Sequence, residues 1–373
     1  MLLYLAGNNK LITNVRLDDA QAEIIYKWLR NNIFVTALDL RYNNITDVGS
    51  KHIAKLLEET ATLEELNLMN NDIGEEGAKD IAQALLKNET LKKLRMSGNK
   101  IGFKGGMCFA QTLQINTTLE ELDLGDTDLT TDCVIALATV LRANSTLKSL
   151  NANRPILFSH QEETTVHFAN MLKVNRSLKE LHLMKYDMRD FGITRLSEKL
   201  VDNMTLTYLN LSCNRITRDG AKELSKLLRK DTALKVIDLS FNRLGDDGAI
   251  DIAEALMTFN TNLQTLVITS NEIRAKGLCA LANALQMNST LDNIYIWGNC
   301  LEEPACIAFA GLIDSGRIAL KNTDVEPYVV DGTTYLSELN HGTRNFYYAG
   351  PSHGEQALPE LAKFAQFVTP SRS

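Results

Sequence analysis

Apolar residues fall at fixed intervals along this chain, and the polar residues between them recur in the same order. The segment LEELNLMNN, Leu63–Asn71, returns as LKKLRMSGN from Leu91 and LEELDLGDT from Leu119. LKSLNANRP from Leu147, LKELHLMKY from Leu178, LTYLNLSCN from Leu206 and LKVIDLSFN from Leu234 follow. LQTLVITSN from Leu263 and LDNIYIWGN from Leu291 complete the series, and VTALDLRYN from Val35 precedes it. Successive starts are mostly 28 residues apart, with one gap of 31 and one of 29. Within one copy, Leu66 and Leu68 alternate with Glu65, Asn67 and Met69, the period of a short strand. Ala78, Ile81, Ala82 and Leu85 then fall at helical spacing. Between them Asn71 marks a turn whose backbone groups a buried side-chain amide can bond.

Each copy therefore predicts strand, turn, helix, turn. Stacked copies bring the strands out parallel and place the helices outside, which is a right-handed leucine-rich-repeat horseshoe of the α/β class. Ten strands at roughly 4.8 Å give an inner sheet of about 45 Å. A glycine recurs four residues after the Ile73-type position, at Gly49, Gly77, Gly105, Gly192, Gly220, Gly248 and Gly277. One phase for glycine predicts a backbone angle or a close approach that a side chain would block. Gly102–Gly106 lacks phosphate-loop spacing and is absorbed by the repeat.

The repeats account for residues 1–318, about ten full units behind a partial N-terminal one. Trp28 and Leu29 finish a helical stretch, Asp19–Arg30. Beyond Leu312 the pattern stops. Tyr328–Val330 and Thr333–Leu336 flank Asp331-Gly332, a hairpin signal. It predicts a capping hairpin within 319–349 that covers the last strand's edge, with Phe346–Tyr348 under it. Residues 350–373 read as a flexible tail.

The ladder position holds asparagine at 43, 71 and 99, then Thr127, Pro155 and Tyr186, then asparagine again at 214, 242, 271 and 299. Proline cannot donate, and Tyr186 is too large for an asparagine-sized slot. The reading is a weaker middle, with altered curvature between Asp123 and Met188 and a convex bulge carrying His160 and Glu162.

Six Asn-x-Ser/Thr sequons, starting at Asn88, Asn116, Asn144, Asn175, Asn203 and Asn288, share one phase of the repeat just after the helix. Asparagine tolerates the left-handed conformation that ends helices, so they read as structural. The opening MLLYLAGNNK lacks the basic first region of a secretory signal, and the six cysteines form no CxxC pair, which fits reduced thiols. Net charge is −7. That excludes duplex nucleic acid as the natural direct partner and suits a basic protein. The histidines form no HExxH or zinc spacing, and the Asp123–Asp132 cluster lacks calcium-loop order. No catalytic residue, cofactor or metal is implied, and a monomer is expected.

A 28–29-residue repeat with a full helix is similar to the ribonuclease-inhibitor class, whose members are intracellular binding proteins. LDLRYNNITDVG (Leu38–Gly49), GNKIGFKGGM (Gly98–Met107), VIALATVL (Val134–Leu141), VIDLSFNR (Val236–Arg243) and NIYIWGN (Asn293–Asn299) resemble the leucine-rich repeat-containing protein 34 family. So do NRP at Asn153–Pro155 and NTDVEPYVVDG at Asn322–Gly332, the latter a run that no generic repeat demands. The resemblance implies a nuclear, nucleolar and cytoplasmic protein of stem and germ cells. It implies a link to ribosome biogenesis and differentiation, with basic nucleolar proteins as partners, and no enzyme activity. A Ran-type GTPase-activating protein is the alternative, since it shares the horseshoe and acts by positioning the GTPase's own machinery.

Residues beside the inward leucines face the concave side. Asp39, Glu65, Glu121, Asp123, Glu180 and Asp238 make that side acidic, against Arg41, Lys93, Arg95 and His182. Tyr208, Val236, Val267, Tyr295 and Trp297 occupy the same phases toward the C-terminus, with Phe241 one position on. Exposed aromatics on a rigid sheet are the composition of an interface centre. These eleven acidic and apolar positions form the expected partner-binding face.

Overall fold

The computed structural model describes residues 1–8, 16–157, 162–230 and 232–339. The alternating leucines form strands β1 Leu2–Tyr4, β2 Ala37–Asp39, β3 Glu65–Asn67, β4 Lys93–Arg95, β5 Glu121–Asp123 and β6 Ser149–Asn151. Then come β7 Glu180–His182, β8 Tyr208–Asn210, β9 Val236–Asp238, β10 Thr265–Val267 and β11 Asn293–Tyr295. They make one parallel sheet in strict sequence order. Among the described residues the sheet has eleven strands rather than ten, because the partial first unit contributes β1. The register never slips: Leu38, Leu66, Leu94, Leu122 and Leu150 stand side by side, and Leu181, Leu209, Ile237, Leu266 and Ile294 continue the row.

Between the strands run α1 Asp19–Leu29, α2 Asp47–Glu59, α3 Glu75–Ala84, α4 Gly102–Ile115, α5 Thr131–Val140 and α6 Glu163–Val174. The outer layer continues with α7 Asp190–Leu200, α8 Arg218–Leu228, α9 Gly245–Thr258, α10 Ala275–Met287 and α11 Glu303–Asp314. Each helix buries its apolar stripe against the sheet, as Ala78, Ile81 and Ala82 do beside Leu66, Leu68 and Ile73.

Asparagines tie the units together. The Asn71 amide donates to the carbonyl of Leu68 in its own unit and of Leu40 in the unit before, at 3.0 Å each. Its Oδ1 accepts from Ile45 N at 3.1 Å. Asn43, Asn99, Asn214, Asn242 and Asn299 repeat the pair of donations. Across the three units without asparagine the carbonyls are still met. Thr127 Oγ1 donates to Leu124 O at 2.6 Å, and the Tyr186 hydroxyl reaches Ala152 O at 2.7 Å. Tyr186 is buried, so the expected size conflict does not arise. Ala152, one residue past β6, stands where Leu40, Leu68 and Leu124 follow β2, β3 and β5, and the missing volume admits the ring. Pairing also runs unbroken through β5, β6, β7 and β8.

The sequon asparagines are structural by a different route from the one the sequence suggests. Asn116, Asn175 and Asn288 have φ between −67° and −85° with extended ψ, not left-handed backbone. Their side chains bridge instead. Asn88 Oδ1 accepts from Thr90 N and Leu91 N, and its amide donates to Leu57 O of the preceding unit. The left-handed residue lies elsewhere, one before each ladder position. It runs Tyr42, Asn70, Gly98, Asp126, Arg154, Lys185, Cys213, Phe241, Ser270, Gly298, with φ between 51° and 80°.

The phased glycines mark a close approach. A Cβ on Gly77 would lie 2.2 Å from Ser50 Oγ and 2.6 Å from Asp47 Oδ1. The carboxylate sits there because it accepts from Gly74 N and Gly77 N, capping the next unit's helix. Asp19, Asp190 and Asp246 do the same for Gly49, Gly220 and Gly277. Glu162 is one of this series, since it accepts from Arg189 N and Gly192 N, while residues 158–161 of the expected bulge lie outside the described residues. Burial pushes its carboxyl up, against those two bonds. His160 lies outside the described residues.

At the C-terminal end β12 Val325–Val330 and β13 Thr333–Glu338 form the expected hairpin. Asp331 and Gly332 both have positive φ, 50° and 81°, as a two-residue mirror-type turn requires. The hairpin packs on α11, and Val325 and Leu336 join the core. The edge of the last strand is closed by a side chain instead. Asp324 accepts from Ile296 N at 2.8 Å and Trp297 N at 3.0 Å. Phe346–Tyr348 and 350–373 lie outside the described residues. No helix among the described residues is long and apolar enough to cross a membrane.

Candidate protein-binding face

Three rows of side chains line the concave side, two from the outward positions of each strand and one from the second residue after it. The first row runs Ala37, Glu65, Lys93, Glu121, Ser149, Glu180, Tyr208, Val236, Thr265, Asn293. Its N-terminal half is a charged ladder. Lys93 Nζ lies 3.0 Å from Glu65 and 3.7 Å from Glu121, and Arg95 reaches Glu121 at 3.8 Å. Ser149 Oγ donates to Glu180 at 3.1 Å. Desolvation nevertheless raises the Glu121 carboxyl, with Lys93 and Arg95 opposing it. Glu65, Glu121 and Glu180 keep part of their surface open to solvent.

The third position runs Asp39, Asn67, Arg95, Asp123, Asn151, His182, Asn210, Asp238, Val267, Tyr295. Asp39, Asp123 and Asp238 are buried, contrary to their expected role as an open acidic surface. Each turns its carboxylate onto its own chain two residues ahead. Asp39 accepts from Arg41 N, Asp123 from Gly125 N and Asp238 from Ser240 N. Asn67, Asn151 and Asn210 make the same bond. This is an Asx turn that steers the chain out of each strand. Desolvation raises the Asp39 carboxyl, with the Arg41 guanidinium opposing.

The apolar end also differs from expectation. Tyr208 and Tyr295 are only 3% exposed, and Val236 and Val267 are buried. Strands about 4.8 Å apart press the side chains of one row together, so large neighbours shield one another. The Tyr208 ring lies 4.8 Å from His182. Burial pushes the Tyr295 hydroxyl up to about 12, with the Asp324 charge adding to the effect. Trp297 alone of the five stays half-buried, at the rim beside Asp324. Phe241 is 58% exposed, but on the turn rather than the sheet. The fifth-position serines escaped the sequence reading. Ser97 Oγ holds Asp123 at 2.7 Å and Ser240 Oγ holds Asp238 at 2.6 Å. Their signal was there: small residues recur two positions after the Asp or Asn, as at Gly125, Ser212 and Ser240.

Asp238 has a measurable consequence. Complete burial lifts its carboxyl to about 6, against the two Ser240 bonds. A raised acid favours the protonated form in the folded chain. Its contribution is complete below the unfolded value near 4 and is lost as pH rises through about 6. Asp238→Asn mimics the protonated acid, and Asn210 with Ser212 shows that the bonding pattern accepts an amide. The Asn210 Nδ2 finds no hydrogen-bond partner among the described residues, which discounts the gain. The variant is expected to unfold about 1–2 kcal/mol harder at pH 7 and no harder at pH 4, by urea titration at both.

Among the described residues no group of three or more His, Cys, Asp and Glu gathers as a metal site. The parallel sheet, the helix layer and the asparagine ladder define a helix-backed leucine-rich repeat protein. The model of the Leucine Rich repeat family matches residues 31–54, 61–82, 87–110, 116–138, 202–225, 230–253 and 259–282. Leucine-rich repeat-containing protein 34 of Homo sapiens is 61% identical over 95% of this chain and 76% of its own length. The proteins of that name from Rattus norvegicus and Mus musculus are 54% and 53% identical over 56% of the chain. The chain aligns with about half, 51%, of the length of those two relatives. A solved structure titled leiomodin-1 actin-binding site 2 matches 38% of the chain and 79% of its own at 27% identity, with a TM-score of 0.33, a likeness of a few repeats only. The chain belongs to the leucine-rich repeat-containing protein 34 family.

Proposed function

We propose that the chain is a non-enzymatic scaffold that captures a basic protein on the concave sheet. The observation that carries this reading is the first row, where Glu65 and Glu121 remain partly open on either side of Lys93, and Glu180 two strands further on, all on strands locked in register. A rigid acidic row speeds encounter with a basic surface and orients it. The half-buried Trp297 at the rim supplies an apolar anchor. The buried acids of the third row, on the same concave side, hold the turns that leave the strands. The relatives' shared family and the quoted motifs favour a nuclear, nucleolar and cytoplasmic setting, with basic proteins of ribosome biogenesis as partners in differentiating stem and germ cells.

Proximity labelling followed by pull-down identifies the partner, and charge reversal then tests the face. Glu121→Lys with Glu180→Lys is expected to weaken capture at least tenfold and flatten its dependence on salt. Capture unchanged in strength and in salt dependence contradicts the reading.

A further inference from the structure

A second surface stands apart from the concave sheet, on the turns that lead from the strands into the helices. Lys185, Arg215, Phe241 and Arg243, with the acids Asp187 and Glu272, line an open groove there of about 670 Å³. Its balance runs against the rest of the chain: three cations face two acids, in a protein of net charge −7. Arg215 is held by Asp187 at 2.5 Å. Lys185 and Arg243 are exposed, and neither has an ion pair among the described residues. The repeat supplies an internal control. The left-handed position of the turn is small or an asparagine or aspartate at Asn70, Gly98, Asp126, Ser270 and Gly298. In the groove it is Lys185 and Phe241, with φ of 61° and 55°, a backbone that bulky residues rarely adopt. Phe241 returns no packing for that strain, since it is 58% exposed. Strain without burial in return marks a residue kept for contact.

We infer that this groove takes an acidic segment of a protein partner, laid across the turns with an apolar side chain against Phe241. Charge complementarity decides the occupant. Lys185 and Arg243 gain the carboxylates they lack, and the guanidinium of Arg243 presents the planar fork that a carboxylate matches. The two cations stand two units apart, roughly 10 Å at the strand spacing. An extended segment spans that distance with acids about three residues apart. A nucleic acid fits less well. Two free cations do not neutralise a run of phosphates, and Asp187 and Glu272 repel one. A peptide can set an uncharged residue opposite each of those acids. The groove lies off the acidic row of the concave sheet, so this inference and the capture of a basic protein stand or fall separately.

Fluorescence anisotropy with a labelled peptide repeating Glu-Pro-Leu tests this, beside its Lys-Pro-Leu counterpart. The parent chain is expected to bind the glutamate peptide and not the lysine one. Lys185→Glu with Arg243→Glu is expected to weaken binding at least tenfold. Lys222→Glu with Lys226→Glu, exposed on α8, makes the same change of net charge and is expected to shift binding less than twofold. Phe241→Asn is expected to weaken binding about threefold with no lower urea midpoint, since asparagine suits the left-handed backbone. Glu272→Gln removes a competing acid and is expected to tighten binding about twofold, a gain that damage to the fold cannot produce. A parent chain that ignores the glutamate peptide, a groove reversal that binds as before, or an α8 reversal that weakens binding equally overturns the inference. So does a Glu272→Gln chain that binds no tighter, or a single-stranded oligonucleotide that displaces the peptide and binds more tightly.

Discussion

Replacing Tyr186 by alanine is expected to cost about 4 kcal/mol of unfolding free energy, and replacing it by phenylalanine about 1–2 kcal/mol. The ring is buried and meets Phe168 edge to face at 6.1 Å. Its hydroxyl is the donor that reaches Ala152 O, the carbonyl that asparagine satisfies in the regular units. Burial pushes that hydroxyl far above its ordinary range, so it stays a donor at any practical pH. Alanine leaves a cavity and an unmet carbonyl; phenylalanine leaves only the carbonyl. Chemical denaturation of the three proteins separates the two contributions. A phenylalanine variant as stable as the parent shows that the hydroxyl does not replace the missing asparagine. If Ala152→Leu is tolerated in the parent, the ring does not depend on the space beside it.

The next unit carries the second large effect. Asn214→Ala is expected to cost about 3–5 kcal/mol, since it strips partners from several buried backbone groups at once. Asn214 Oδ1 accepts from Tyr186 N and Met188 N, and its amide donates to Leu183 O and Leu211 O. Neighbouring ladder positions share one network, so the double variant with Tyr186→Phe is expected to depart from additivity by at least 0.5 kcal/mol. A loss below 1 kcal/mol in Asn214→Ala shows that the units hold together through apolar stacking alone.

These two sites also mark where the sequence stops being readable. The period of 28 gave the strands, the helices and the asparagine ladder, because each is written within one unit. Asp331-Gly332 gave the hairpin for the same local reason. Tyr186 misled because the space that receives it is made by Ala152, a residue in another unit. The caps on the helices were hidden likewise, since Asp47 acts on Gly74 and Gly77, a full repeat onward. The left-handed turn position was masked by its residues, only Gly98 and Gly298 among the ten being glycine. For the binding face, alternation along the strand told which side chains turn to the concave side. It could not tell which stay open, because that depends on neighbours in the adjacent strands. Hence Asp39, Asp123, Asp238, Tyr208, Val236, Val267 and Tyr295 were placed on the correct side and proved buried. Glu65, Glu121, Glu180 and Trp297 retain part of their surface open to solvent.

Hydroxyl-radical footprinting of the chain with and without its captured partner tests the concave assignment most directly. The expected result is reduced oxidation at Trp297 and at Met69, a partly open residue beside the charged row, with Phe103, Phe191 and Met287 on the outer helices oxidised as before. Reduced oxidation on those helices with Trp297 and Met69 unchanged contradicts the concave assignment.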